Sequence, residues 1–418
     1  MKVLLVGATG FVGRHLLVAL HAAGHQLVAT SRYPQPEGLP GVQWLALDLD
    51  RLALDPGHFV FPADIDVLIN AAGLLSNQPS ALALTQDAGA RALFDQAAQQ
   101  GVRVLQISAL GAGEQADVPF LATKALADQH LLDLGLSAVV LRPSLVLGAG
   151  GASSQWLARL SPWPLIPLLD LKAQLQPLHI DDLCGAVLAL LRHWPEGARI
   201  LPLVGPERLT LAQLLDRLRA AQGWAPGRYV QLPSVLSAMG GWLGERLGWR
   251  ALSGQSLRMA RRDNLADPEI LANACGYRAA PIAARLQGWP DAAQSSQLSL
   301  RPLMLAVLLL IWLGTAVVSV GPGYDWGLRI LAEAGVQGWV ASLAVFAGAL
   351  CDGVLGLGLL LRRWRRRALQ AQWLLMFAYT LIISLILPHY WFDPYAAVAK
   401  NLVLMVATLW LLWTEPRR

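Results

Sequence analysis

The sequence predicts an α/β doubly wound parallel sheet with a small second lobe, followed by a C-terminal α-helical transmembrane bundle of about four helices. Three observations carry this reading. Short apolar runs alternate with helical stretches over the first two-thirds of the chain. A glycine-rich turn, Gly7-Ala8-Thr9-Gly10-Phe11-Val12-Gly13, joins the first apolar run to the first helix. From Pro302 onward, long apolar runs replace the alternation.

The strands come first. Residues 3–6 are apolar at every position and stop at Gly7. Residues 26–29, 43–47, 67–69, 102–107 and 138–141 are further strands. Residues 11–23, 88–100 and 121–134 read as the helices between them. Apolar runs without polar alternation suit strands buried on both faces, as in a parallel sheet. After Ser144 the pattern loosens, with prolines at 162, 164, 167 and 177. A strand at 199–204 and a helix at 210–222 follow and read as a smaller lobe. The expected division is a core over 1–145, a second lobe completing the sheet and a substrate cleft over 146–290, a polar linker over 291–301, and a membrane portion over 302–418.

The membrane portion rests on hydropathy and charge. Only 15 % of the chain is charged, and mean hydropathy is +0.44. Residues 302–320, 336–361, 373–387 and 402–413 read as four spans, a span needing roughly 20 apolar residues. The formal net charge is +5, and residues 301–418 supply all of it, with ten basic and five acidic side chains. The basic balance therefore belongs to membrane flanks, and the bilayer, not nucleic acid, is the expected partner. Arg301, the five arginines between Arg362 and Arg367, and Arg417 with Arg418 fall on one side of four spans. The positive-inside rule then places both termini in the cytoplasm, in a multi-pass protein of the inner membrane. The apolar run at residues 3–6 is too short for a signal peptide, which agrees. Cys184, Cys275 and Cys351 lie far apart, so neither a disulfide framework nor a metal site is expected. Asp352, about nine residues from the arginines and so near mid-bilayer, is read as an acid fixing helix packing or handling protons or quinone, with Tyr379, Thr380 and Ser384 as partners.

The 7–13 turn points to a dinucleotide. One glycine lets the chain turn sharply, another lets backbone approach a pyrophosphate, and a third allows helix and strand to pack closely. The helix N-terminus then offers free N–H groups to the phosphates. The spacing is GxxGxxG. The second strand ends in Ser31-Arg32 and has no acid there for a ribose hydroxyl, so a 2′-phosphate and NADP(H) in preference to NAD(H) are expected. Asp48, with Leu49 beside it, is placed to accept from the adenine amine or to cap the next helix.

These residues, together with Asn70-Ala71-Ala72-Gly73, Ser108, Arg142-Pro143-Ser144, His179-Ile180-Asp181-Asp182 and Gly205-Pro206, resemble the short-chain dehydrogenase/reductase superfamily with its Rossmann fold. The later motifs resemble its extended or atypical branch, where epimerases, dehydratases and complex I accessory subunits sit. The resemblance covers about residues 1–290 and implies that the 70–73 turn and Pro143 line the cofactor. Residues 301–418 resemble the DoxX-like four-helix membrane family through Asp352-Gly353, Tyr379-Thr380, Trp391-Phe392-Asp393-Pro394 and Lys400-Asn401.

The superfamily's apparatus is Ser, Tyr and Lys. Ser108 and Lys124 match it, but the Tyr position holds Phe120. Phenylalanine cannot donate a proton, and a positioned acid–base group is worth about 10²- to 10⁴-fold. Lys124 then reads as a ribose ligand more than a base. His179 with Asp181 and Asp182 reads as helix capping by Asp181 and packing by His179, with acid–base catalysis the alternative. Three functions follow: an NADP(H)-dependent oxidoreductase or epimerase-like enzyme acting on a lipophilic substrate such as a quinone or isoprenoid; a non-catalytic nucleotide sensor or assembly subunit; or a membrane redox protein regulated by its nucleotide domain.

Overall fold

The structure, a computed structural model, describes residues 1–34, 39–233, 254–394 and 396–415. It divides into two compact units, Met1–Ser295 and Ser296–Arg418.

The first unit is built on a seven-stranded sheet. Its strands are β1 (Lys2–Val6), β2 (Gln26–Ser31), β3 (Val42–Ala46), β4 (Val67–Asn70), β5 (Arg103–Ile107), β6 (Ala138–Pro143) and β7 (Ala198–Leu203). Their spatial order is β7-β6-β5-β4-β1-β2-β3, and every neighbouring pair is parallel. Beginning at β1, the chain goes out to β2 and β3, then returns to place β4 on the other side of β1. The order therefore reverses between β1 and β4, where ligands bind in open sheets of this kind. The fold class and the first six strands stand where the sequence puts them. The strand read at 199–204 completes the sheet as its edge, Ala198 to Leu203 pairing with Ala138 to Pro143 along their whole length.

Helices cover both faces. On one face α1 (Phe11–Ala22) packs beside α6 (Ile180–Arg192), with Leu16, Leu20, Leu183 and Leu190 closing a core over Val3, Leu5 and Ile69. On the other, α2 (Leu49–Leu54), α3 (Gly89–Gln99) and α4 (Pro119–Asp133) close a core around Phe94, Leu68 and Val104. A π-helical turn, Ala83–Ala88, leads into α3. A third core holds α5 (Ala152–Leu160), α7 (Leu211–Ala221) and the short strands Leu165–Leu168 and Arg228–Gln231 together.

The second unit has five α-helices among its described residues, the first of which begins in the last residues of the first unit: α8 (Ala292–Val320), α9 (Tyr324–Glu333), α10 (Trp339–Gly358), α11 (Arg365–Ile386) and α12 (Ala397–Thr414). Three of them, α8, α10 and α11, are long and apolar enough to cross a membrane, while residues 398–414 of α12 fall just short in length. The ten-residue α9 was not expected; it is too short and too polar to register as a span. The expected linker at 291–301 is not a linker in form. Asp291 accepts from the Gln294 N–H at 3.0 Å, and α8 runs from there without a break. Nothing between Ala292 and Arg301 is a glycine or proline, so its Ser and Gln residues follow the helix they adjoin.

Candidate functional site

Gly7 leaves β1 with φ at +77°, and a Cβ there would lie 2.7 Å from the Ala72 nitrogen. At Gly13 a Cβ would lie 2.1 Å from the Gly7 carbonyl oxygen. The Gly10 N–H donates to that carbonyl at 2.9 Å. Strand, turn and helix thus approach as closely as bare backbone permits. Ala8 is buried and donates its N–H to Thr30 O at 3.2 Å, while Thr9 faces outward and Phe11 and Val12 are half-buried in the first turn of α1. The Gly10 N-cap of α1 makes no side-chain hydrogen bond. Elsewhere in this unit α2, α6 and α7 are capped by Asp48, His179 and Thr210, while α3, α4 and α5 also lack a side-chain cap. The uncapped N–H groups of α1, over a floor without side chains and at the reversal of strand order, fit a pyrophosphate.

At the end of β2, Ser31 is buried and its hydroxyl donates to the Tyr33 carbonyl, so it is already engaged within its own turn. Arg32 stands exposed beside it. Asp48 accepts from the Asp50 N–H at 3.1 Å and caps α2, the second of its two expected roles, with Leu49 buried below.

The turn after β4 is held from beneath. Asn70 donates to Gln106 Oε1 at 2.8 Å and accepts from the Ala72 N–H at 3.1 Å, which fixes Ala71, Ala72 and Gly73 against the glycine turn. A Cβ on Gly73 would meet Lys124 Nζ at 3.9 Å, so the two expected subsites adjoin.

Lys124 and Ser108 lie together in a buried polar cluster. Lys124 Nζ donates to the Ile107 carbonyl at 2.9 Å and sits 5.8 Å from the centre of the Phe120 ring. Ser108 Oγ donates to Asp128 Oδ2 at 2.7 Å. Arg142, at the end of β6, donates Nε and Nη2 to the same oxygen at 3.2 and 3.0 Å. Burial lowers Lys124 to about 8, with Asp128 opposing the shift. Burial likewise raises the Asp128 carboxyl, while Ser108, Lys124 and Arg142 pull it back. Asp128 is 0 % exposed and its Oδ1 has no hydrogen-bond partner among the described residues. Sequence reasoning missed Asp128. The signal was there, since Asp128 follows Lys124 by four residues and so shares its helix face.

Pro143 is buried at the end of β6, where it pairs with Leu203. The 179–182 segment corrects its sequence reading. His179, not Asp181, caps α6, its Nδ1 accepting from the Asp181 N–H at 3.3 Å. Burial lowers the His179 pKa, in keeping with an unprotonated acceptor nitrogen. Asp181 points outward, whereas Asp182 is wholly buried and accepts from Arg285 Nη2 at 2.7 Å and Tyr277 OH at 3.0 Å. The segment is a structural joint.

In the second unit the Thr315 hydroxyl of α8 donates to Trp312 O at 3.0 Å, and Asp352 Oδ1 has no hydrogen-bond partner among the described residues. The Thr380 and Ser384 hydroxyls donate instead to carbonyls of their own helix, Met376 O and Thr380 O, each at 2.7 Å. An intrahelical carbonyl is nearer to a short hydroxyl side chain than any group across the interface. Among the described residues no group of three or more metal-binding side chains occurs.

Fold and site together define a dinucleotide-binding α/β protein joined to a membrane-type helical unit. Residues 3–200 match the model of the NAD dependent epimerase/dehydratase family, and residues 309–409 match that of the DoxX-like family. A ceramide reductase of Caulobacter vibrioides is 28 % identical over 243 residues, 55 % of this chain and 73 % of that protein. A mitochondrial NADH dehydrogenase [ubiquinone] 1 alpha subcomplex subunit 9 of Dictyostelium discoideum is 24 % identical over 222 residues, 51 % of this chain and 61 % of that one. The match thus spans less than two-thirds of the complex I subunit. Among solved structures, the Bordetella bronchiseptica enzyme WbmH in complex with NAD+ superposes with a TM-score of 0.54 at 15 % identity, covering 71 % of this chain and 99 % of its own. That likeness shows the fold.

Proposed function

We propose that this chain is an NADP(H)-dependent oxidoreductase or epimerase-like enzyme, anchored in the inner membrane with both termini in the cytoplasm and acting on a lipophilic substrate, of ceramide, quinone or isoprenoid type. The observation that carries the reading is the junction of the uncapped α1 N-terminus and its glycine floor with the Lys124–Ser108 cluster across Gly73. The ceramide reductase relative supports a lipid substrate, and the DoxX-like unit supports a membrane location. Residues 146–290 would complete the substrate cleft.

The glycine turn and the 70–73 turn would hold the dinucleotide, with Arg32 on a 2′-phosphate; once bound it supplies or accepts a hydride. The remaining chemistry falls to this chain. Phe120 cannot deliver a proton. Lys124 holds one on Nζ and, with its pKa near 8, releases it close to neutral pH. Ser108 orients the reacting oxygen, and its bond to Asp128 connects it to a buried carboxyl that retains a proton more readily than a solvated one.

Phe120 also supports a second reading, a nucleotide-binding sensor without turnover. Calorimetry on the full-length protein tests the first claim. NADPH is expected to bind more tightly than NADH, and Arg32→Ala to weaken NADPH about tenfold, the value of one charge-assisted contact of about 1.4 kcal/mol, while leaving NADH unchanged. Equal affinities would end the NADP(H) assignment, and no binding of either would end the enzyme reading. If nucleotide binds, NADPH oxidation with lipid ketones separates the two readings: Phe120→Tyr alters turnover in an enzyme and yields none in a sensor.

A further inference from the structure

The run Arg362-Arg363-Trp364-Arg365-Arg366-Arg367 joins α10 to α11. The structure divides its five arginines into two sets. Arg365 turns inward: its Nε donates to Leu359 O at 2.8 Å, and its Nη1 lies 3.8 Å from Glu415 Oε1. Arg366 reaches the Glu415 carbonyl at 3.5 Å. Arg301 of α8 pairs with the same Glu415 carboxylate. These contacts tie the adjoining ends of α8, α11 and α12 together.

Arg362, Arg363 and Arg367 turn outward and are exposed, and among the described residues none has a carboxylate partner. Two of them are nonetheless positioned. The Arg363 and Arg367 guanidinium carbons lie 5.5 and 5.3 Å from the centre of the Trp364 ring. An indole holds a guanidinium by its ring face and leaves the N–H edges free, and those edges match two phosphate oxygens at once. Among the described residues, three cations are thus gathered without a counter-ion of their own. The surface beside them is apolar: Leu360 and Leu361 are 58 % and 57 % exposed. A ligand for this place has an anionic phosphate at one end and hydrocarbon at the other.

We propose that Arg363 and Arg367, held against Trp364, form with the neighbouring Arg362 a headgroup site for an anionic phospholipid. The site takes the phosphate on the two ring-held guanidiniums, with Arg362 adding charge and the Leu360–Leu361 surface lying along the acyl chain. It is separate from the inward set, which closes the bundle.

The test uses the full-length protein in nanodiscs of mixed phosphatidylglycerol and phosphatidylcholine, with retained lipid quantified after extraction into detergent. The wild type is expected to retain phosphatidylglycerol over phosphatidylcholine, and added salt to weaken the preference. Each arginine near an anionic surface contributes roughly a fivefold preference, so R363Q/R367Q should lose about 25-fold. R363K/R367K, which keeps charge but loses the planar fork, should lose part of it, and it serves if the double glutamine variant does not fold. R365Q should keep the preference while lowering the unfolding temperature. Undiminished preference in the variants, equal retention of both lipids, or displacement of the lipid by free glycerol phosphate at equal concentration would each overturn the proposal, the last by showing a soluble-anion site.

Discussion

Lys124 is 4 % exposed, hydrogen-bonded to the Ile107 carbonyl and faced by the Phe120 ring, while Asp128 is engaged by Ser108 and Arg142. Burial therefore lowers it from 10.5 to about 8. The sign of the stability effect follows. Between pH 8 and 10.5 the unfolded chain holds the proton that the folded chain has released, so stability rises with pH across this window. Below it both states are protonated and the burial cost is felt in full. Lys124→Met should raise the unfolding midpoint at pH 7 and flatten its rise between pH 8 and 10, as thermal unfolding would show. Parallel pH curves for the two proteins would refute the shift. Residues of this kind were legible in type but not in environment. Phe120 in place of a tyrosine could be read directly, whereas the spacing of Asp128 from Lys124 put both on one helix face but did not show that Asp128 meets Ser108 and Arg142.

At the scale of elements, the seat of α1 on β1 depends on Gly13. A Cβ there would meet the Gly7 carbonyl at 2.1 Å, and the obstacle is backbone that cannot swing aside. Gly13→Ala should cost about 1–3 kcal/mol, in the range of overpacked cores, and should reduce NADPH affinity because the helix must retreat from the phosphates. Urea titration and calorimetry on the same preparation check both; a variant of unchanged stability would show that α1 has freedom the packing denies. The strands of the sheet were legible because each is apolar on both faces, and α1 because it opens on glycines. The start of α8 was not. Its first turns carry Ser and Gln, whose side chains read as linker, and the helix they adopt is set by the Asp291 cap and the apolar span beyond. Capping was readable only as a choice of residues: Asp48 and Asp181 both looked able, and geometry gave one role to Asp48 and the other to His179.

At the scale of the whole molecule, α12 decides the topology. α12 has 18 residues, about 27 Å at 1.5 Å per residue against a hydrocarbon core of about 30 Å. If it spans, the membrane unit has four crossings and Arg301, the 362–367 arginines and the chain's end share one face. A fluorescent protein fused after Arg418 should then be bright and a phosphatase fused there inactive. The reverse pattern would mean three crossings. Charge supports the even count, since the basic excess lies on one side of a four-span arrangement only.

The sheet's last strand has a consequence for how such a gene can change. β7 comes from beyond residue 145 and covers the edge of β6 along six residue pairs. A recombination that joined foreign sequence after residue 145 would leave that edge bare, an invitation to aggregate. A crossover near residue 295, where the two compact units meet, would leave all seven strands intact. Descent should therefore have shuffled the nucleotide-binding unit whole, with the seam between the two ancestries lying in the first turns of α8.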